Sequence, residues 1–204
     1  MPGGGWTTSP GGTYTTICGG QTIIGGYDKF GQNAWAKRTY TGFLTHYAVS
    51  VQFDAYFIDT WDSETFDLSL DGTLVYSESH YQGQNSNINR CGVGTTDWVK
   101  TVTLGPFNHT ANSLKLEFSS TLNQHAGDES FGFKNIKITI WPVCDPACAT
   151  CFGNAIYECY SCKNGWYLKD TTCVIDCGAH YWNSASGNVC SGKFSLILHA
   201  LIAF

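Results

Sequence analysis

The segment Phe66-Asp67-Leu68-Ser69-Leu70-Asp71-Gly72-Thr73-Leu74-Val75-Tyr76 alternates apolar and polar residues on either side of an Asp-Gly pair. A period of two places alternate side chains on opposite faces of a strand. Asp-Gly accepts the positive φ that both central residues of a two-residue hairpin turn need. The segment therefore reads as a β-hairpin with Leu70 opposite Thr73 and Leu68 opposite Val75. Upstream, His46–Asp59 carries Tyr47, Val49, Val51, Phe53, Ala55 and Phe57 on one face and Ser50, Gln52 and Asp54 on the other. That is a long half-buried strand. Downstream, strands are expected at Trp98–Leu104, Leu114–Phe118 and Phe131–Ile140. In the last, the apolar phase switches from odd (Phe131, Phe133) to even (Ile136, Ile138, Ile140), so an extra residue is expected near Lys134-Asn135.

Ten glycines fall within residues 1–31, in pairs and triplets, which reads as edge segments and turns. Eight or nine strands follow from the whole pass, with no segment of helical period. The fold class is all-β: a two-sheet, jelly-roll-like sandwich over residues 1–142. A small disulfide-rich module occupies 143–190, and an apolar tail 191–204.

The chain has 204 residues, 13% charged and 15% aromatic, with a net charge of −5. Aromatic content of that size supports a packed core and excludes disorder for most of the chain. The basic residues form no cluster longer than Lys37-Arg38, which excludes a nucleic-acid partner that tracks phosphates.

Cysteines carry the compartment signal. Cys18 and Cys91 lie in the sandwich, and Cys144, Cys148, Cys151, Cys159, Cys162, Cys173, Cys177 and Cys190 crowd the module. The even total and the density point to disulfides and an extracellular or cell-surface location. Cys148, Cys151, Cys159 and Cys162 also match a four-thiolate zinc site, although the x7 separation is short and four more cysteines would be left without a role. Eight cysteines allow on the order of a hundred pairings. Cys148–Cys159, Cys151–Cys162 and Cys177–Cys190 are preferred, with Cys18 paired to Cys91.

The first residues, Met1-Pro2-Gly3-Gly4-Gly5-Trp6, offer neither a basic nor an apolar leader segment, so the sequence reads either as part of a longer precursor or as one whose first residue is not the natural start. The run Phe194–Phe204 is too short to span a bilayer, which takes about 20 residues. Behind the small residues Asn183–Ser186 it resembles a lipid-anchor signal, the one membrane link expected, and reads equally as a truncated or docked strand.

Two family resemblances rest on longer stretches. Cys144-Asp145-Pro146-Ala147-Cys148-Ala149-Thr150-Cys151-Phe152-Gly153, with Cys159-Tyr160-Ser161-Cys162-Lys163-Asn164-Gly165-Trp166, resembles a furin-like, growth-factor-receptor type repeat. Such repeats act as extracellular spacers and contact surfaces. Trp61–Gly72, Leu114–Ser120 and Asp128–Ile136 are similar to lectin-like jelly-roll modules, which precede furin-like repeats in large protozoan surface proteins. The resemblance implies a surface location and a glycan ligand.

Candidate site residues are few. Asp62 and Glu64 precede one strand and Asp128 and Glu129 precede another, so converging loops could supply them to a structural Ca²⁺. The same carboxylates admit a glycosidase pair, but no apolar pocket for a general acid is visible, and no catalytic residue is assigned. Trp61, beside Asp62, is the preferred sugar-stacking aromatic. Asn108-His109-Thr110 makes Asn108 a glycan acceptor. No nucleophile–base constellation is legible, and the expectation is a non-catalytic structural or adhesive protein. Its partners are copies of itself or other surface proteins, with carbohydrate binding as the alternative.

Overall fold

The computed structural model describes residues 5–9, 14–84, 90–93, 97–179, 181–184 and 187–192. The expected anchor-like run Phe194–Phe204 lies outside these residues. Among them every regular element is a strand. They divide into two compact units: Met1–Phe43 with Ala48–Ile140, and Leu44–Tyr47 with Trp141–Phe204.

The larger unit is a sandwich of two five-stranded sheets. β1 (Thr7–Ser9), β4 (Trp35–Thr41), β9 (Ser113–Ser120), β6 (Asp62–Leu70) and β7 (Thr73–Tyr81) form one, in the order β1-β4-β9-β6-β7. β2 (Thr15–Cys18), β3 (Gln21–Gly25), β10 (Glu129–Pro142), β5 (His46–Asp59) and β8 (Trp98–Asn108) form the other, in the order β2-β3-β10-β5-β8. The Gly-rich N-terminus thus supplies more than edges, because β3 lies inside its sheet against β10.

Period-two patterning places the core. Val49, Val51, Phe53, Ala55 and Phe57 of β5 are buried, as are Phe66, Leu68 and Leu70 of β6 and Leu114, Leu116 and Phe118 of β9. Phe118 stacks on Phe133 with centroids 4.0 Å apart and meets Phe53 edge-on at 5.0 Å. Tyr47, expected on the inward face of β5, is instead exposed, because it sits at the strand's start beyond the sandwich core.

The Asp71-Gly72 turn takes the positive φ values expected, 50° and 85°. Leu70 pairs with Thr73, but Leu68 pairs with Tyr76, not Val75, because a register shift follows Leu68–Ser69. Leu74, opposite Ser69, faces outward (57% exposed), and the extra residue after it brings Tyr76 against Phe53, at 5.8 Å. In β10, Asn135 adopts φ 54° where the apolar phase switches, which carries Ile136, Ile138 and Ile140 back to the core side.

A second, smaller apolar cluster lies on the other face of β5. Tyr56 and Ile58 pack there with Ile23 and the Cys18–Cys91 disulfide.

The smaller unit holds β11 (Cys148–Cys151) paired with β12 (Cys159–Cys162). A four-stranded sheet follows, built from β13 (Tyr167–Lys169), β14 (Thr172–Val174), β15 (Trp182–Ser184) and β16 (Val189–Ser191) in the order β14-β13-β16-β15. Its disulfides are Cys144–Cys151, Cys148–Cys159, Cys162–Cys173 and Cys177–Cys190. The expected Cys151–Cys162 bridge is corrected. In the β11–β12 pair Cys148 lies opposite Cys162 and Cys151 opposite Cys159, and neither facing pair is bridged. A twisted antiparallel pair shortens one diagonal and lengthens the other. Cys148 and Cys159 take the short one, while Cys151 turns back to Cys144 and Cys162 forward to Cys173. All ten cysteines are bridged, which leaves no thiolate for zinc.

Candidate metal centre and aromatic groove

At the corner between β5 and β6 the chain passes through Asp59, with φ 66°, to Thr60 and Trp61. Trp61 is the first correction. It has no exposed surface, packs edge-on against Phe57 at 4.9 Å, and donates from Nε1 to the Ser130 carbonyl at 2.9 Å. An indole enclosed in this way is a core residue and presents no face to a sugar. The polarity of Asp62 next to it suggests a loop, but only Thr60 and Trp61 separate β5 from β6.

Two strands begin beside this corner with a glutamate in the core-facing phase. Glu64 precedes the buried Phe66, Leu68 and Leu70 of β6, and Glu129 precedes the buried Phe131 and Phe133 of β10. Each is therefore carried inward by the alternation that buries the aromatics. Glu64 is 7% exposed and Glu129 has no exposed surface. Carboxylate oxygens of Asp62, Glu64 and Glu129 lie within 4.8 Å of one another.

The polar contacts are unevenly shared. Glu64 Oε2 accepts the Asp62 backbone N–H at 2.7 Å, and its Oε1 accepts Asn123 Nδ2 at 2.8 Å. Both oxygens of Glu129 are buried without a hydrogen-bond partner. Burial first, then the charges of Glu64 and Asp62, push the Glu129 carboxyl up to about 7. A pull from the Asn123 backbone amide opposes this but does not complete a hydrogen bond. Burial, followed by Asp62, also raises Glu64.

Asp128 belongs to a different set of contacts. Its Oδ1 accepts the Thr60 hydroxyl at 3.0 Å and its carbonyl accepts the same group at 2.9 Å. Of the four carboxylates expected around a cation, the structure brings three together. Such a group can hold a hard cation. It offers no catalysis by a carboxylate pair, because a fully buried Glu129 cannot be reached by a glycosidic oxygen.

His80, on β7, lies beside the same core corner, stacked on Trp98 at 4.9 Å and tilted against Phe57 at 5.1 Å. Burial lowers its pKa to about 4, with Glu78 pulling weakly the other way. Its folded pKa lies below the ordinary 6.5, so the neutral ring contributes stability that is lost as pH falls from about 6.5 towards 4. Urea midpoints measured across that window are expected to fall with pH, and His80→Phe to flatten the slope. An unchanged slope in that variant would show that the acid limb belongs to other groups.

A separate feature lies within the smaller unit. Tyr47, Trp141, Pro142, Val143, Ala149 and Thr150 line a groove of about 450 Å³, floored by the Cys144–Cys151 disulfide. Tyr47 is 52% exposed and Trp141 41%. The Val143 N–H donates to the Thr45 carbonyl at 3.3 Å, which ties the Tyr47 segment to the residues after Trp141. Thr150, in the lining, shares a hydroxyl–hydroxyl bond of 2.6 Å with Ser161. Nothing along the chain signals that Trp141 and Tyr47 line one groove.

No protein-family model matches the chain, and no curated protein matches it. Among solved structures it is similar to several carbohydrate-binding modules. One is the C-terminal family 6 module of a marine laminarinase from Zobellia galactanivorans, at 15% identity and TM-score 0.36, covering 62% of this chain and 87% of that one. Another is a family 36 module in complex with calcium and xylotriose, at 15% identity and TM-score 0.34, covering 63% and 91%. A third is a family 61 module in complex with β-1,4-galactotriose, at 8% identity and TM-score 0.42, covering 68% and 90%. The chain is an all-β sandwich with a disulfide-rich C-terminal part, and the solved structures it is similar to include carbohydrate-binding modules.

Proposed function

We propose that this chain is a non-catalytic, extracellular glycan-binding protein whose ligand lies in the groove of Tyr47 and Trp141. The observation that carries the reading is two large aromatics, both about half exposed, walling one concave site. Pyranose rings have apolar C–H faces and polar edges. Flat aromatic faces beside a hydroxyl complement both, and Thr150 in the groove lining supplies the hydroxyl.

Around this site the cysteine-rich unit acts as a disulfide-stapled spacer of the furin-like kind, and its bridges suit an oxidising compartment. Asn108, exposed at the end of β8, carries an N-linked glycan. Self-association through sheet edges is the weaker reading, since edge strand β8 contains Lys100 and Pro106, residues that discourage strand addition.

The test is a glycan array followed by titration calorimetry on the full chain. Tyr47→Ala and Trp141→Ala are each expected to weaken the best ligand about tenfold, roughly 1.4 kcal/mol, with the fold intact by circular dichroism. Unchanged affinity in both variants would remove the groove from the reading, and an array without any ligand would remove glycans.

A further inference from the structure

We infer that Asp62, Glu64 and Glu129 bind a Ca²⁺ ion that clasps the two sheets of the sandwich together. The inference stands apart from the glycan reading and survives its failure. Three carboxylates converge within 4.8 Å, one of them fully enclosed with both oxygens unpartnered. Burying an ionised carboxylate without a partner is strongly unfavourable, and like charges beside it add to the cost. A proton on Glu129 would cancel only one of the three charges. A divalent cation satisfies all three groups at once.

The donor set selects the kind of ion. Every donor is oxygen, which suits a hard cation and not zinc or copper. Ca²⁺–O distances of about 2.3–2.6 Å allow oxygens on opposite sides of one ion to stand about 4.6–5.2 Å apart, a span that contains the observed limit. Mg²⁺ bonds at about 2.0–2.1 Å and keeps most of its water, for which an enclosed Glu129 is a poor host. Glu64 spends one lone pair of each oxygen on Asp62 N–H and Asn123 Nδ2, which leaves the others for the ion.

The position gives the ion its role. Asp62 and Glu64 stand at the start of β6 in one sheet, and Glu129 at the start of β10 in the other. Protein hydrogen bonds already bridge the same place, from Trp61 Nε1 to the Ser130 carbonyl and from Thr60 N–H to the Asp128 carbonyl at 3.2 Å. An ion there is a cross-link between sheets at the corner that buries Trp61.

The experiment is equilibrium dialysis of the full chain against calcium chloride at pH 8, paired with thermal unfolding followed by near-ultraviolet circular dichroism. Chelated protein is expected to bind one Ca²⁺ per chain, and 1 mM Ca²⁺ to raise its Tm by about 5–10 °C, the shift given by a ligand near a hundredfold above its Kd. Magnesium at the same concentration is expected to shift it much less. Glu129→Gln and Asp62→Asn are each expected to abolish the shift, and in chelator Glu129→Gln is expected to melt at or above the wild type, since a buried charge is gone. Asp62 is exposed, so its asparagine variant keeps the test open if Glu129→Gln fails to fold. No binding by wild-type protein at millimolar Ca²⁺ overturns the inference. So does Ca²⁺ binding that persists in Asp62→Asn with the Tm shift intact.

Discussion

Trp61→Ala is expected to destabilise the sandwich by roughly 3–5 kcal/mol, the range seen when a buried Phe or Trp is cut to alanine. Domains are stable by about 5–15 kcal/mol, so this one change threatens the fold. Two physical losses combine. The indole fills the space between Phe57 and the corner, and its removal leaves a cavity that the short Thr60–Trp61 link cannot collapse into. It also removes the Nε1 donor to the Ser130 carbonyl, on β10 of the opposite sheet. Trp61→Phe keeps most of the volume and loses the hydrogen bond, so it should cost distinctly less. Urea denaturation of the three proteins measures both steps. A Trp61→Ala protein as stable as wild type but unable to bind glycan would restore Trp61 to the ligand site and contradict its burial.

The second large effect concerns sulfur. In the smaller unit the buried cluster is Ala147 with Cys148, Cys159, Cys162 and Cys173, ringed by Cys144, Cys151, Trp166 and Leu168. The cystines are themselves the core. Bridges closing separations of 7, 11, 11 and 13 residues each contribute about 2–3 kcal/mol in the chain-entropy account. With so little other apolar burial, their reduction is expected to unfold β11 to β16 altogether. The sandwich has only Cys18–Cys91, across 73 residues, contributing about 4 kcal/mol against a large aromatic core. It should weaken and stay folded. Hydrogen exchange with mass spectrometry in a phosphine reductant separates the two: amides of β12 and β13 exchange at once, while those of β5, β9 and β10 stay protected. Protection retained throughout the smaller unit after complete reduction would mean that something other than disulfides holds it.

The candidate cation site was partly legible, and the missing part has an identifiable signal. On polarity alone, Asp62, Glu64, Asp128 and Glu129 read as loop acids. The better indicator lies in phase: Glu64-Thr65-Phe66 and Glu129-Ser130-Phe131 each set a glutamate two residues before a core aromatic, on the same face. A charge on the inward parity of a strand must find a partner, whereas Asp128, on the opposite parity, meets Thr60 instead. Reading parity before polarity would have separated Asp128 from the others. The same test places Trp61 poorly, because it precedes the strand and has no parity of its own.

What the chain's order of residues determined by itself is local. Alternation assigned β5, β6, β9 and β10, Asp71-Gly72 set the hairpin turn, the phase change at Asn135 marked the irregularity in β10, and cysteine density marked the smaller unit. Each depends on backbone torsions and on neighbours a few residues apart, which composition and spacing encode directly. Tertiary structure alone decided that Trp61 faces inward, that Cys151 bonds Cys144 and not Cys162, and that Tyr47 and Trp141, nearly a hundred residues apart, line one groove. It also decided that Glu64 of one sheet and Glu129 of the other share one enclosed space. Those outcomes depend on which strands become neighbours and on the twist between them, and no local period along the chain carries that information.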